Sequence, residues 1–322
     1  MTEHTNKQAT PVPRLASNET GLPAIWSMVK LAAKASVDDY AASMGAALSY
    51  YTLFSIGPVM LIVVSLAGLA FGHDVAATRI LDQLGGLMGE AGASAIGDLL
   101  KAFEKPTSGI VGTVVGLAVL LVGATTVFGE LQDALDRIWR APARHEHPGW
   151  WNLVRARLLS FGMILAVGFL LIVSLVLSAA LAAFGKWWSA SFVGWEVAAQ
   201  VADLVIGFIV TTVAFAMIYK FMPRVHIHWR DVWVGASVTA LLFAIGKSLI
   251  GLYIGRSGVL TTFGAASSIV VLLLWVYYSA QIFLLGAEFT WVYAHTFGSR
   301  RDAKSGSSQS RHTGKQRDAV VV

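Results

Sequence analysis

The residues that could do chemistry in this chain are few, and most of them sit inside long apolar blocks. Glu130, Asp133 and Arg137 fall at i, i+3 and i+7, on one face of a helix, where Asp133 can pair with Arg137. Glu288 lies near the end of the last apolar block, at the depth expected for Glu130. Acids gathered near one membrane face can relay protons, or pair with Arg137 or Arg155 to lock a bundle. Asp203 and Lys247 are single charges in two other blocks. A charge in a span is costly and turns to the bundle interior or to water, so these two form a candidate pair if their helices adjoin. Lys247 can equally snorkel to the interface. Trp275, Tyr278 and Gln281 step by three along the last block, and Gln281 needs a hydrogen-bond partner at lipid depth. Ser49, Tyr50 and Ser55 make the first block polar ahead of Gly57 and Pro58. Pro58 removes one backbone hydrogen bond and kinks the helix. In lipid the freed carbonyl needs a partner, and Thr52 and Ser55 are near enough to help. Two readings stand together: a bent helix lining a cavity, or hydroxyls that bond to neighbouring helices.

The chemistry that is missing narrows the field. There is no cysteine, hence no disulfide, Fe–S cluster, thiolate nucleophile or Cys-based zinc site. No phosphate-binding glycine loop, nucleophile elbow or H-E-x-x-H motif occurs. His145/His147 and His226/His228 are alternate-residue pairs without spaced carboxylates, too little for a metal centre. No catalytic residue, metal or cofactor is expected, and the chain is not expected to be an enzyme. The net charge of +5 would suggest nucleic acid in a soluble protein. Here cationic loops facing anionic lipid headgroups account for it, and no nucleic-acid partner is expected.

The elements that would position these residues are membrane helices. Of the 322 residues 56% are hydrophobic and only 13% charged, against roughly 25% charged in soluble domains. Mean hydropathy is +0.64. A soluble globule could not cover its surface with so few charges. The expected fold is all-α: a polytopic membrane domain over residues 23–295, between a flexible start (1–22) and a disordered basic tail (296–322). No cleavable signal peptide is expected at the start. Six spans are expected at 45–70, 109–130, 158–184, 198–220, 232–254 and 267–290. With the N-terminus inside, Arg79, Lys101, Lys105, Lys186, Lys247 and Arg256 fall outside and the other 18 of the 24 Lys and Arg residues fall inside. That bias supports six spans with both termini cytoplasmic. Tryptophans mark the ends: Trp139, Trp150, Trp151, Trp229, Trp233 and Trp291 inside, Trp187, Trp188 and Trp195 outside.

Two further segments read as helical. Residues 23–40 carry Ile25, Met28, Val29, Ala32, Ala35 and Tyr40 on one stripe, which suits an interfacial helix on the inner leaflet, with an ordinary solvated N-terminal helix as the alternative. Residues 73–104 carry two apolar patches broken by Gly85, Gly86, Gly89 and Gly92, which suits a helical hairpin capping the outer face. Gly112, Gly116 and Gly123 give the second span a small-residue face for close helix packing, with a homo-oligomer seam as a weaker reading.

Several segments are familiar in their order and spacing. They are the first span with its serines, Gly57 and Pro58; LQDALDRIW at 131–139; MPRV at 222–225; WVGASVTALLFAIGK at 233–247; and FGAASSIVVLLLWVYYSAQIFLLGAEF at 263–289. Together they resemble the YihY/BrkB family of bacterial inner-membrane proteins, over residues 25–295. The resemblance implies six spans with both ends in the cytoplasm. It also brings the family's labels: ribonuclease BN, virulence or serum-resistance factor, and suspected mover of lipids or envelope precursors. The ribonuclease label finds no histidine/aspartate metal cluster and no soluble nuclease domain here. The expectation is an inner-membrane protein that transports or exports a lipid-like or amphipathic envelope substrate, with membrane lipids as partners. Its cavity would be lined by spans 1, 2 and 6. The alternative is a membrane scaffold or assembly protein that does not transport.

Overall fold

The structure is a computed structural model. It describes residues 22–104, 126–142, 195–256 and 266–300, with scattered positions between 162 and 180. The expected spans 109–130 and 158–184 lie almost wholly outside the described residues. So do Gly112, Gly116, Gly123, His145, His147, Arg155 and the basic tail.

Regular structure among the described residues is helical throughout. In chain order the helices are α1 (Leu22–Asp38), α2 (Ala41–Phe71), α3 (His73–Glu104), α4 (126–138), α5 (Trp195–Phe221), α6 (Trp229–Arg256) and α7 (Ser267–Thr296). Among the described residues three stretches are long and apolar enough to cross a membrane: Gln200–Phe221, Trp229–Ile254 and Ser267–Thr296. They coincide with the expected spans 198–220, 232–254 and 267–290. At 1.5 Å per residue, α7 is about 45 Å long, well beyond a hydrocarbon core of about 30 Å. Glu288, 21 residues after Ser267, therefore lies about 32 Å along it, at the far boundary of that core.

α7 is the hub, packing against α1, α2, α3 and α6, while α5 covers α6. The buried cluster joins Met28 and Ala32 of α1, Leu135 and Ile138 of α4, Tyr219 of α5, Val232 of α6, and Leu284, Ala287 and Trp291 of α7.

The α6–α7 seam has a reciprocal design. Each helix carries glycine and threonine four residues apart: Gly235 with Thr239, and Gly286 with Thr290. A Cβ on Gly235 would run into Thr290, and one on Gly286 into Thr239. Each threonine donates its hydroxyl to the carbonyl of the glycine on its own helix, at 2.8 Å for Thr239 and 2.7 Å for Thr290. The hydroxyls are thereby satisfied in an apolar setting and the backbones approach closely.

α2 stays helical through Gly57 and Pro58. Ser49 and Ser55 bond their own helix, to Ala46 O at 2.9 Å and Thr52 O at 3.2 Å. The carbonyl that Pro58 deprives is that of Phe54, so the Ser55 hydroxyl does not serve it as expected. Its partner, Thr52 O, lies two residues before Phe54, because the side chain reaches the carbonyl three residues back in its own turn more readily.

α1 corrects an expectation. Met28, Ala32 and Ala35 of the predicted stripe are buried, whereas Ile25, Val29 and Tyr40 are exposed. Trp26 and Val37 share the exposed side with Lys30 and Lys34. One apolar face docks on protein and a second faces out. Apolar periodicity counts both alike, so the sequence merged them into one stripe.

α3 doubles back on itself. A Cβ on Gly97 would stand 3.6 Å from the Leu81 side chain, and one on Gly85 would stand 3.8 Å from Ala93. In a straight helix residues 81 and 97 would be about 24 Å apart. Leu81, Leu84, Ile96 and Leu99 then pack with Met60 of α2 and Leu272 of α7.

Candidate functional site

The charged and aromatic residues converge at one end of the bundle, where α1 ends, α2 begins, α4 ends, α5 turns into α6 and α7 terminates. Glu288 lies at the centre. It is 1% exposed, and neither of its carboxylate oxygens has a hydrogen-bond partner. Asp39 is the acid that acts on Glu288 most strongly, and Arg140 and Asp38 act on it more weakly through their charges. Two carboxyls can hydrogen-bond only through a proton that one of them carries, so this juxtaposition leaves the Glu288 oxygens unsatisfied when both acids are ionised.

Local structure sets each member of the group. α1 and α2 are separated by Asp39 and Tyr40 alone, and Tyr40 adopts φ 60, ψ 40 in the left-handed region. That conformation costs a residue with a Cβ about 1–2 kcal/mol, and it turns the chain so that Asp39 meets α7. Arg140, at φ 50, ends α4 in the same region. Its guanidinium lies 4.4 Å over the ring of Trp291, one turn beyond Glu288. Arg300, just past α7, lies 5.3 Å over Trp139. The tips of α4 and α7 thus exchange arginines, each stacking on the other's tryptophan. Lys220 over Trp229 and Lys30 over Trp26 repeat the pairing at 5.4 and 5.2 Å. Such contacts contribute about 0.5–1 kcal/mol each where solvent reaches them.

Two polar latches brace this end. Arg224 lies 3.1 Å from Asp136 and 3.7 Å from Asp133, and its backbone N–H donates to Asp136 at 2.8 Å. The closer side-chain contact is a charge pair whose angle is not that of a hydrogen bond, since Asp136 Oδ2 has no hydrogen-bond partner. Gln132 donates to Met222 O at 3.1 Å. The expected Asp133–Arg137 pair is therefore replaced by Asp133–Arg224, because the 222–225 loop brings a guanidinium against α4 that helix periodicity could not reveal. Burial pushes the Asp136 carboxyl above its ordinary value, by more than Arg224 pulls it down. In the second latch, Asp231 of α6 accepts from the Ser299 hydroxyl at 2.6 Å, and Arg300 donates to His226 O at 2.9 Å. His226 enters through its backbone carbonyl, and so does His228, which receives the N–H groups of Asp231 and Val232. Among the described residues no group of three His, Cys, Asp or Glu side chains could hold a metal ion.

The other expected site residues are distributed more widely. Gln281 finds its partner in Ala41 O at 3.2 Å, with its amide against Gly45. Trp275 stacks edge-on with Phe243 at 6.1 Å, its Nε1 buried without an acceptor, and Tyr278 lies against Gly246. Tyr50 is 56% exposed and meets Tyr51 and Phe54 edge-on, on a face of α2 turned out of the bundle. Asp203 and Lys247 lie on adjoining helices at one level, 18 residues before Phe221 and 18 after Trp229. Glu130 is half-buried on α4 and is not among the charges acting on Glu288. Sequence reasoning passed over Tyr219, whose hydroxyl donates to Phe283 O at 2.7 Å and meets the Thr239 hydroxyl at 3.1 Å. It also missed Arg140 as a partner of α7. The paired glycine–threonine spacings were the visible signal for the seam. At the opposite end, α3 encloses a shallow groove of about 570 Å³ lined by Asp82, Glu90 and Asp98, and Ser268 of α7 donates to Asp98 at 3.0 Å.

Comparison with known proteins gives the chain its relatives. A UPF0761 membrane protein of Pseudomonas paraeruginosa is 28% identical over 255 residues, covering 78% of this chain and 59% of its own. A UPF0761 membrane protein of Yersinia pestis is 32% identical over 205 residues, covering 62% of this chain and 65% of its own. The chain thus spans about three fifths of the length of the curated relatives it matches. No solved structure matches it. The family described as Virulence factor BrkB matches residues 32–311, which takes in α2, the latched motifs around Asp136 and Arg224, and the whole of α7; the chain is a membrane protein of that family.

Proposed function

We propose that the chain is a multi-pass inner-membrane protein, with six spans and both termini in the cytoplasm, that transports or exports a lipid-like or amphipathic envelope substrate. In this reading it is a carrier and not an enzyme. One observation supports it above the others: Glu288 is buried and unsatisfied where the starts and ends of spans 1, 2 and 6 converge. An ionisable group buried without a hydrogen bond at the boundary of the hydrocarbon core is expensive, and a bundle selected for stability alone would do better with an apolar residue there. The alternative, a scaffold, needs no such group.

The test begins with purification in native lipid and identification of the amphiphiles that co-purify, followed by their movement in reconstituted vesicles. Glu288→Ala and Glu130→Ala should each abolish the envelope phenotype at normal protein level, and Glu288→Ala should cut vesicle movement at least tenfold. Loss of protein instead assigns these acids to folding. Absence of movement for every co-purifying amphiphile leaves the scaffold.

A further inference from the structure

The acids at the inner end face one another across the short α1–α2 junction, which Gln281 and the buried side chains of α1 hold against α7. Asp39 belongs to the two-residue link between α1 and α2, and Glu288 to α7, the hub of the bundle. The charged groups facing Glu288 are Asp39 and Asp38 from the α1–α2 side and Arg140 from the end of α4. On α7 itself the titratable groups beyond Glu288 are Tyr293, five residues on, and His295, two turns on and bonded to Trp291 O at 2.8 Å. Glu288, Asp39 and the exposed Asp38 thus meet one arginine, whose guanidinium also lies over Trp291. The surplus is negative and calls for a cation. Glu288 is 1% exposed, and the described His, Cys, Asp and Glu side chains form no metal-binding set. A proton is the cation that needs no room and no further ligand.

We propose that Glu288 and Asp39 form a carboxyl pair that binds one proton, and that gain and loss of this proton seats and releases the α1–α2 junction on α7. With the proton present, one carboxyl donates to the other and both are satisfied. With it gone, a buried and a half-exposed carboxylate face each other as like charges and repel. The repulsion acts on the weakest point nearby. Tyr40 is already held in the left-handed region and is 69% exposed, so little packing opposes its release. Release swings the C-terminal end of α1 away from α7 and opens the bundle between spans 1 and 6. This rests on the transport reading for its purpose, since it names the proton as the co-substrate of that site, but the movement itself requires no cargo.

The chain has no cysteine, so single cysteines can carry spin labels without background. Val37 at the exposed end of α1 and Phe297 just beyond α7 are 75% and 44% exposed and suit labelling. Distances between Val37→Cys and Phe297→Cys would be measured in the full chain, in lipid nanodiscs without substrate, from acidic to alkaline pH. The wild-type background should show a short population at acidic pH giving way to one longer by several ångströms at alkaline pH. Glu288→Gln should hold the short distance throughout. Asp39→Asn, at a half-exposed position, should do the same and serves if Glu288→Gln fails to fold. Infrared spectra should also show one protonated-carboxyl band that both variants lose. An unchanging wild-type distance, or variants that move as the wild type does, overturns the proposal. Movement of the junction without carriage of any amphiphile leaves the proton pair standing and removes the transport reading; carriage with a fixed junction does the reverse.

Discussion

Gly286→Ala tests the α6–α7 seam. The added Cβ would lie 2.8 Å from both Cβ and Cγ2 of Thr239, and closer still to its hydroxyl. Carbon atoms pack best at about 3.5–4.0 Å, so the helices must part by close to an ångström. Thr239 cannot simply swing aside, because its hydroxyl is bonded to Gly235 O and meets Tyr219. Overpacking of this kind costs about 1–3 kcal/mol. Replacing glycine by alanine within a helix returns about 0.5–1 kcal/mol. The net expectation is a loss of about 1–2 kcal/mol, or roughly 5–30-fold in the folding equilibrium. The measurement is unfolding by SDS in mixed micelles, followed by the fluorescence of the 11 tryptophans. Thr239→Ala removes two of the three overlapping atoms, so the double variant should be less destabilised than the sum of the singles by about 1 kcal/mol. A Gly286→Ala protein as stable as the wild type, or strictly additive singles, refutes the interlock.

Two further outcomes follow from the same packing. Tyr219→Phe removes a buried hydroxyl that serves both Phe283 O and Thr239 and should cost about 1 kcal/mol in the same assay; no loss would mean the network does not bear on stability. Asp136 holds its proton more tightly in the fold than its ordinary value, so its contribution is fully present below the ordinary carboxylate range and is lost as pH rises through its folded value. Asp136→Asn should therefore flatten the decline of stability from acidic towards neutral pH, and an unaltered profile would show that the carboxyl's burial is not felt.

What the sequence made legible is what depends on sums over many residues. Spans 198–220, 232–254 and 267–290 stand out because some 20 apolar side chains vote together and single errors cancel. Pairing depends on individual neighbours, and there periodicity failed. Asp133 lies four residues from Arg137 but meets Arg224, 91 positions away, because the 222–225 loop is folded under α4. The two motifs LQDALDRIW and MPRV prove to be halves of one latch. Gln281 was recognisable as needing a partner, and only the fold could name Ala41 O. In the sequence Asp39 is only a charge near the end of the apolar pattern of residues 23–40. Its place against Glu288 follows from the left-handed turn at Tyr40, for which neither glycine nor asparagine gave warning.

The seam also decides which side of Glu288 can move. Gly286 and Thr290, the two α7 residues locked to α6, lie two positions either side of Glu288. At 3.6 residues per turn, two positions rotate a side chain by about 200°. Glu288 therefore points away from α6, towards the α1–α2 junction, and its strain cannot be relieved by rolling α7. Such a roll would drive Thr239 and Thr290 into the opposing backbones. Sliding α7 along α6 is opposed in the same way, since two glycine–threonine contacts fix the register and Tyr219 ties Thr239 to Phe283 O. The arginine exchange holds the tip of α7 to α4 as well. What remains able to respond is the link Asp39–Tyr40, joined to α7 through Gln281 and the buried side chains of α1. A rigid hub carrying a buried acid, opposed by a two-residue hinge carrying another, converts a change of one charge into movement at the hinge.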